Sequence, residues 1–194
     1  SNNIDLSLGY KKKFNEPMRE FTSDLYFSKG IFNDDESYHQ YNFVPIYTTP
    51  SQKSNSDNTF TNLTFQSDYV HPISEKTRLD AGIKAMMRTS DNNYFFYNFD
   101  TLATDFKQDT NLSNHFVYSD YVYAAYSTLS QEWKKFSIQL GLRAEETVQN
   151  GDQKTSNYVF KRDYFSLFPS THISYSLPHD NKLQISYSRR INRP

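Results

Sequence analysis

The sequence predicts an all-β fold, an antiparallel meander of about eight strands in a transmembrane β-barrel. Three observations predict it. Apolar and polar residues alternate in stretches of about ten residues, aromatic residues make up 17% of the chain, and the connections are alternately short and long. A period of two indicates a strand with one apolar and one polar face. Short turns at one end of the strands and long loops at the other are typical of outer-membrane barrels.

The alternation is clearest in residues 78–88 and 136–147. In the first stretch Leu79, Ile83 and Met87 share one parity with two alanines, while charged residues occupy the other. A helix would not bring these apolar residues together, because residues i and i+2 lie on different helix faces. The predicted strands are residues 4–13, 18–28, 59–70, 78–88, 116–128, 136–147, 164–177 and 182–190, and residues 116–128 are aromatic on both faces, which leaves their orientation open.

The connections alternate in length along the whole chain. Pro17, Pro72 and Pro178 fall in short connections, where a missing N–H does no harm. The long connections are rich in Asn, Asp, Ser and Thr. Such loops count against a compact soluble domain and are expected outside a barrel. In order, the predicted connections are residues 14–17, 29–58, 71–77, 89–115, 129–134, 148–163 and 178–181.

Strand length and aromatic residues agree with a membrane-spanning sheet. About ten residues at roughly 3.3 Å each, tilted by about 45°, span about 23–25 Å, which is the height of the lipid-facing band. Aromatic residues near strand ends suit the headgroup level of a membrane. The alternative is the ordinary aromatic core of a β-sandwich. The aromatic residues in question are Tyr10, Phe14, Tyr69, Tyr118, Tyr126, Phe136, Tyr164 and Tyr175.

Composition excludes several classes of protein. The net charge of −1 argues against a nucleic-acid binder, which needs a basic surplus. The longest apolar run, residues 121–126, is far shorter than the roughly 20 residues of a transmembrane helix. There is no cysteine, and no nucleophile elbow, phosphate-binding loop or zinc motif occurs. We therefore expect no enzyme, no catalytic residues and no cofactor.

The candidate metal ligands of the sequence are its five histidines and one acidic cluster. No two histidines have the i, i+2 or i, i+4 spacing of metal ligands; the five are His39, His71, His115, His172 and His179. We expect His172 to be a lone lumen residue. We expect residues 71–72 and 178–179 to lie in turns. The cluster Asp34, Asp35 and Glu36 lies in a predicted loop, but it lacks the glycine-turned pattern of a calcium loop. We expect no metal site.

Two groups of residues are candidates for contact with a solute. Charged residues on the polar parity of two strands either line a solute path or form structural ion pairs that keep a lumen polar. An aromatic segment in a predicted loop either stacks on a ligand ring or continues a strand upward. The lumen-lining candidates are Arg78, Asp80, Lys84, Arg88, Arg143 and Glu145, and the loop candidates are Tyr94, Phe95, Phe96, Tyr97 and Phe99.

The second half of the chain carries a family resemblance. Residues 122–126 (VYAAY), 136–145 (FSIQLGLRAE), 164–170 (YFSLFPS), 173–175 (ISY) and 183–194 (LQISYSRRINRP) resemble the barrel region of TonB-dependent outer-membrane receptors, and they look closest to the outer membrane protein β-barrel family. The resemblance is specific over residues 118–194 and rests on architecture before them.

The resemblance implies a place in the bacterial outer membrane and a role in transport. Residues 1–194 would be a partial barrel domain without its plug, holding roughly eight of about twenty-two strands. The whole protein would take up a scarce solute, such as a siderophore, vitamin, glycan or peptide, with energy relayed by the TonB complex through segments not in this chain. Expected partners also include outer-membrane lipid and a surface lipoprotein.

Two other functions stay open at this point. One is a self-contained eight-stranded outer-membrane barrel with a structural or adhesive role, because eight strands suffice for closure. The other is a soluble β-sandwich binding module. Pairing of the first with the last strand would distinguish the closed small barrel, and the alternation of connection lengths is a feature that a sandwich does not predict.

Overall fold

The computed structural model describes residues 1–39, 41–43, 46–48 and 51–191. The described residues contain no helix that is long and apolar enough to cross a membrane. The strands in the described residues are β1 (Asn2–Lys13), β2 (Glu20–Tyr38), β3 (Tyr41–Phe43), β4 (Ile46–Thr48), β5 (Gln52–Ser74), β6 (Thr77–Asp100), β7 (Asp105–Gln108), β8 (Asn114–Glu132), β9 (Phe136–Gln153), β10 (Tyr158–Ser176) and β11 (Lys182–Ser188).

The long strands form one antiparallel sheet in the order β1-β2-β5-β6-β8-β9-β10-β11. The short strand β7 pairs with β6, while β3 and β4 form a separate two-stranded hairpin. Each long strand therefore pairs with the long strands next to it in sequence. The predicted antiparallel meander of about eight strands is confirmed, and the three additional strands lie in the predicted long connections.

The strands are longer than the sequence pattern predicted. Strands β2, β5, β6, β8, β9 and β10 contain 18 to 24 residues each. Most of residues 89–115 and 148–163 lie in strands, so the prediction of long loops there was wrong. In the third predicted loop, residues 29–58, the prediction was wrong for the residues that lie in strands. Residues 40, 44, 45, 49 and 50 of that loop lie outside the described residues. At about 3.3 Å per residue and a tilt of about 45°, β6 would extend about 56 Å, roughly twice the lipid-facing band.

The turns at the short-connection end are tight. Glu75 and Lys76 alone separate β5 from β6, and the Ser74 hydroxyl accepts a hydrogen bond from the Lys76 N–H at 3.3 Å. Between β10 and β11, His179 (φ 61°) and Asp180 (φ 56°) both adopt the left-handed conformation, as in the type I′ turn that matches strand twist. The predicted turn at 178–179 is confirmed.

A correction applies to His71 and Pro72, which lie in β5 and not in a turn. The register between β5 and β6 shifts between Pro72 and Ser74, so an irregularity accommodates the proline there.

A second proline sets the end of β11. The Pro169 carbonyl of β10 accepts a hydrogen bond from the Arg189 N–H at 3.1 Å. Proline has no N–H to donate in return, so the ladder cannot continue beyond this point. Strand β11 accordingly ends at Ser188, two residues before the predicted end at Arg190. Residues 192–194 of the predicted family element lie outside the described residues.

The sheet buries mainly polar residues on one face and exposes apolar residues on the other, which is the reverse of the pattern in a soluble protein. Buried residues are mainly polar, and they include Asp120, Glu145 and Thr147. Large apolar residues on the opposite face are exposed, for example Leu8 at 71% and Leu142 at 52%. A soluble domain buries its apolar face against a second layer. An apolar face turned outward is the arrangement of a transmembrane barrel, where lipid covers it.

The eight long strands form an open sheet. Strands β1 and β11 lie at its two edges, and no pairing joins them among the residues that the structure describes. A self-contained eight-stranded barrel requires that pairing, so the geometry does not favour this alternative. Two exposed edges each leave backbone N–H and C=O groups available to a further strand.

The apolar band crosses the sheet obliquely. The register places Phe21 of β2 in the same row as Leu142 of β9. Phe21 lies next to the turn end of its strand, but in β9 the apolar parity continues from Leu142 through Leu140 to Phe136, six residues closer to the turn end. Strands that tilt against the membrane normal produce such a stagger.

Candidate functional site

The register decides which side chains share the polar face. Residues directly opposite each other in an antiparallel pair project to the same side of the sheet. Lys84 lies opposite Ala124, which lies opposite Glu145, and the row continues on both sides through Gln66 and Ser166. All six predicted lumen-lining residues lie on this face, namely Arg78, Asp80, Lys84, Arg88, Arg143 and Glu145.

The polar face is crowded although no second layer packs on it. Asp120 is 1% exposed and Thr147 is fully buried within a single sheet. Side chains converge on the concave side of a curved sheet, and this convergence accounts for their burial. The polar face is therefore the inner wall of a curved sheet, which gives it the place of a barrel lumen.

Five of the six predicted residues form ion pairs. Arg78 pairs with Asp80 at 2.9 Å, Arg143 with Glu145 at 2.5 Å, and Arg88 with Asp120. In the described part of the chain, Lys84 has no ion pair. The geometry thus fits structural ion pairs at most of these positions, and Lys84 is the member with its ammonium available to another group.

A groove on the polar face lies beside Arg88, the ion-pair partner of Asp120. Asn62 Oδ1, in the lining of this groove, is buried without a hydrogen-bond partner in the described residues, as are Asp120 Oδ1 and Thr147 Oγ1 outside the lining. The groove has a volume of about 290 Å³ and is lined by Asn62, Arg88, Phe60, Tyr118 and Gln149, among others. Buried acceptors are normally paired, so this groove suits an occupant that donates N–H or O–H groups.

A second polar cluster ties three strands together across β6. The Tyr126 hydroxyl donates to Asp68 Oδ1 at 2.5 Å, and Gln66 Nε2 donates to Asp68 Oδ2 at 2.8 Å. The Arg143 guanidinium lies 5.2 Å from the centre of the Tyr126 ring and binds Glu145. Cation–π contact and charged hydrogen bonds together hold β5, β8 and β9 in register.

All five glycines of the chain lie on the polar face. A Cβ atom at Gly82 would lie 2.6 Å from Tyr126 Cε2, and one at Gly30 would lie 2.7 Å from the Phe32 ring. The Phe160 ring occupies the corresponding space at Gly151. On a crowded inner wall, a missing side chain makes room for a neighbouring aromatic ring.

The predicted aromatic loop is the continuation of β6, so its assignment as a loop was wrong. The strand's alternation divides its aromatic residues between the faces. Tyr94 and Phe96 have the polar-face parity, whereas Phe95, Tyr97 and Phe99 have the opposite one. The outward residues pack against neighbouring strands. Lys53 Nζ of β5 lies 4.9 Å from the centre of the Tyr97 ring, and the ring centres of Phe99 and Phe106 of β7 lie 5.2 Å apart.

A pocket beside Tyr94 lies above the membrane-spanning part of the sheet. Its volume is about 310 Å³, and its lining includes Tyr94, Gln108, Asn114, Lys154 and Thr155. An aromatic ring can stack on a flat or cyclic ligand, while amide, hydroxyl and ammonium groups supply hydrogen bonds to it. The pocket is thus suited to a polar, ring-bearing solute.

The aromatic residues predicted near strand ends fall into two groups. Tyr10, Tyr69, Phe136 and Tyr175 lie on the apolar face, where a headgroup-level belt would be. The belt prediction is wrong for Tyr118, Tyr126 and Tyr164, which lie on the polar face. At the turn end, Arg19 Nε donates to the Tyr69 hydroxyl at 2.7 Å, and its guanidinium lies 4.8 Å from the Phe14 ring.

The candidate metal ligands of the acidic cluster and His172 lie in strands. Asp34, Asp35 and Glu36 lie in β2 and not in a loop, so successive side chains point to opposite faces. In residues that the structure describes, no group of three or more His, Cys, Asp or Glu residues could hold a metal ion. His172 lies on the polar face opposite Gln139.

The acceptors that organise the polar face could not be identified as a cluster from the sequence. Asp120 and Tyr126 lie in the strand whose orientation was left open, and the register now places both on the inner wall. One signal could have identified Asp120, because it is the sole charged residue in residues 116–128. Asp68 and Asn62 had the polar parity of their strand, but nothing local indicates their partners.

Comparisons with known proteins agree with this geometry. A family model described as the outer membrane protein beta-barrel family matches residues 12–194. One similar solved structure is the ferric citrate transporter FecA in the unliganded form, with a TM-score of 0.59 and 12% sequence identity; the match covers 91% of this chain and 25% of that chain. Another is the copper transporter OprC, with a TM-score of 0.63 and 11% sequence identity; the match covers 96% of this chain and 29% of that chain. At such identities the likeness shows the fold. The chain spans less than a third of either transporter, and no curated protein matches the sequence.

Proposed function

This chain belongs to the outer membrane protein β-barrel family, and on that premise we propose that it is part of the wall of a TonB-dependent receptor that takes up a scarce solute. The family, the outer-membrane location and the resemblance read from residues 118–194 are confirmed. The family and the two transporter structures also agree with the expectation that the protein is not an enzyme.

We propose that residues 1–194 are one partial barrel domain. The two unpaired sheet edges support this proposal, because a transmembrane sheet must satisfy its edge groups with further strands. The share of each transporter covered, 25% and 29%, supports roughly eight of about twenty-two strands.

The inverted polarity of the sheet is the observation that carries the proposal. Charged residues are buried on one face while leucines are exposed on the other, so lipid and a polar lumen must lie on opposite sides. The ion pairs at Arg78, Arg88 and Arg143 would keep the wall polar and rigid. Lys84 and the groove beside Arg88 would then meet whatever passes through or fills the lumen.

Solute contact at the outer rim would depend on the inward aromatic residues. Tyr94 and Phe96 have the polar-face parity, and Tyr94 lines the rim pocket with amide and ammonium groups. A glycan or siderophore has the rings and polar groups that this lining would bind. Of the other predicted contact residues, Phe95 also lines the pocket, whereas Tyr97 and Phe99 would support the rim from outside.

The partners follow from the same proposal. Outer-membrane lipid would cover the exposed apolar face. Energy would reach the receptor from the TonB complex through segments other than residues 1–194. A surface lipoprotein that delivers the solute is a further candidate partner.

The experiment compares paired aromatic variants in cells that express the full-length protein. Uptake of a ferric siderophore, a corrinoid vitamin, an oligosaccharide and a peptide is measured with and without a protonophore. Substitution of Tyr94 and Phe96 by Ala should reduce the energy-dependent uptake of one solute. Substitution of Tyr97 and Phe99 by Ala is the matched control and should leave uptake near normal, because both have the outward parity and neither lines the pocket. Energy-dependent uptake unchanged by deletion of the whole gene, for every solute in the set, would rule against the proposed receptor.

A further inference from the structure

The apolar parity of β1 ends in a lysine beside the first short turn. Positions 4, 6, 8 and 10 on this face carry large apolar or aromatic side chains, each more than half exposed. The next position is Lys12, which lies opposite Phe21, and Phe21 lies opposite Tyr69. A lysine in this place can lay its stem along the apolar face and keep its ammonium in water.

The Phe14 ring, in the turn that follows, contacts two cations. Lys12 Nζ lies 5.0 Å from the centre of this ring, and the Arg19 guanidinium carbon lies 4.8 Å from it. The two cations are therefore at most about 10 Å apart. Arg19 has a second contact, because its Nε donates to the Tyr69 hydroxyl at 2.7 Å. Cation–π contact and this hydrogen bond thus place two positive charges at one end of the apolar face.

Aromatic rings form a platform beside these cations. The rings of Phe14 and Tyr69 meet edge to face with their centres 6.2 Å apart, and His71 stacks on Tyr69 at 5.9 Å. The Arg19 guanidinium also lies 5.8 Å from the centre of the Tyr69 ring. Cations beside aromatic rings are typical of the headgroup level of a membrane. We call Lys12, Phe14, Arg19, Tyr69 and His71 the turn-end cluster.

The charges around the turn-end cluster leave a positive surplus. Both acids of the adjoining turn and strand already have partners, since Glu16 pairs with Arg19 at 3.0 Å and Glu20 pairs with Lys11 at 2.9 Å. Lys12 is exposed and has no ion pair among the residues that the structure describes. Its ammonium is therefore available to an anion on the lipid side of the sheet.

Other nearby charges do not remove this surplus. Lys13 also lacks an ion pair in the described part of the chain, but it has the polar-face parity, opposite Glu20. The next short turn contributes Glu75 and Lys76, whose charges cancel. An occupant of the turn-end cluster is therefore an anion.

The position of the cluster decides which anion reaches it. Short turns of outer-membrane barrels face the periplasm, so the cluster lies at the headgroup level of the periplasmic leaflet. Phospholipids make up that leaflet, and their phosphates lie at this level. A dissolved phosphate ion would meet the charges alone, whereas a lipid also covers the exposed apolar side chains at positions 8 and 10. The ammonium of a zwitterionic headgroup would be repelled by Lys12 and Arg19, which favours a lipid of net negative charge.

We propose that Lys12 and Arg19 bind the headgroup of an acidic phospholipid in the periplasmic leaflet, with its acyl chains along the apolar face of β1 and β2. The Lys12 ammonium and the Arg19 guanidinium donate hydrogen bonds to the phosphate oxygens, and the Phe14 ring holds both cations in place. The proposal rests on the outer-membrane location of the chain and not on the uptake of a solute.

Native mass spectrometry of the purified, delipidated full-length protein tests the site. Phosphatidylglycerol, phosphatidylethanolamine and phosphatidylcholine with identical acyl chains are titrated in turn, and circular dichroism first confirms that each variant is folded. Phosphatidylglycerol should bind about tenfold more tightly than either zwitterionic lipid. Lys12→Gln should remove most of this difference. Lys13→Gln removes the same charge from the polar face of the same strand, and it should preserve the difference.

The other members of the cluster are tested in the same way. Arg19→Gln and Phe14→Leu should each reduce the preference for phosphatidylglycerol, the second without any change of net charge. Glycerol phosphate, which has the phosphate without acyl chains, should not displace the bound lipid.

Equal binding of phosphatidylglycerol and the zwitterionic lipids to the unaltered protein would overturn the proposal. Equal effects of Lys12→Gln and Lys13→Gln would also overturn it, because they would show a response to net charge alone. Displacement of the lipid by glycerol phosphate would show a site for a soluble anion instead. If Arg19→Gln does not fold, the comparison of Lys12→Gln with Lys13→Gln still decides.

Discussion

The ring of Tyr126 occupies the space that a side chain at Gly82 would need, and the two residues are direct partners across β6 and β8. The tyrosine thereby lies over the glycine and reaches Asp68 on the next strand, to which its hydroxyl donates at 2.5 Å. One small residue therefore allows a hydrogen bond that spans three strands.

We expect Gly82→Ala to destabilise the protein by about 1–3 kcal/mol, because the new Cβ would lie 2.6 Å from Tyr126 Cε2 and 2.5 Å from Asp68 Oδ1. Reversible urea unfolding from lipid vesicles measures the change. The double variant Gly82→Ala with Tyr126→Ser should recover part of the loss, which appears as a coupling energy in a double-mutant cycle. Gly9→Ala, with one contact at 3.0 Å, is the milder control. Additive effects at positions 82 and 126 would show that the ring does not depend on the glycine.

We expect the Arg88–Asp120 pair to respond unequally to loss of either partner. The Asp120 side chain is 1% exposed and that of Arg88 is 51% exposed. Arg88→Met leaves a buried carboxylate without its cation and should destabilise the protein by about 2–4 kcal/mol. Asp120→Asn leaves an arginine that water can reach, and about 1 kcal/mol is expected. The free energies of unfolding of the two variants are compared under identical conditions, and a larger loss for Asp120→Asn would contradict the assigned burial.

We expect the two faces of β9 to differ in their tolerance of charge. Leu140 is 49% exposed on the apolar face, and Leu140→Arg should destabilise the protein by about 2–4 kcal/mol near the bilayer midplane. Gln139 lies on the polar face opposite His172, so Gln139→Arg should change the free energy of unfolding by well under about 1 kcal/mol. Unfolding from lipid vesicles again provides the measurement. Equal effects would mean that lipid does not cover the apolar face.

We expect the carboxyl group of Asp100 to have a pKa below its ordinary value. The hydrogen bond from Lys107 at 2.5 Å, together with the N–H groups of Ala103 and Leu102, lowers the pKa of Asp100 from 3.8 to about 2. Because the folded pKa is depressed, the stabilisation of this turn is present above pH about 4 and is lost as the pH falls through about 2. NMR of the carboxyl carbon follows the titration. Lys107→Ala should move the pKa back toward 3.8, and an ordinary value in the unaltered protein would show that the turn is open in solution.

We expect proteases added outside intact cells to cut at few places. Leu102, in the turn between β6 and β7, is 96% exposed and is the best candidate. The paired strand residues 89–100 should resist cleavage, although the sequence pattern suggested a loop there. Glu75 and Lys76, at the opposite end of the sheet, should be cut only after the outer membrane is permeabilised. Mass spectrometry of the fragments identifies the sites, and cleavage at residues 75–76 in intact cells would reverse the topology.

Features of this fold could be predicted from the sequence where their signal lies within one short segment of chain. The parity of Leu79 to Met87 revealed a strand and its apolar face, because side-chain direction alternates with a fixed period within one segment. In residues 89–100 the same strand continues beyond the lipid, where water meets both faces and no hydrophobic alternation is required. There a loop and a strand have the same composition, so the prediction of a loop was wrong.

The strand order, the apolar-face residues of most strands and the family could all be predicted from the amino-acid sequence, because these features follow from short periodic patterns and from motifs. The tertiary structure decided what Lys84, Asp120 and Tyr126 contact. Arg88 meets Asp120 and Tyr126 meets Asp68 across 32 and 58 residues of chain, and only the register between strands brings such residues together. Register, in turn, results from hydrogen bonding and side-chain fit summed over whole strands, which no single stretch of sequence displays.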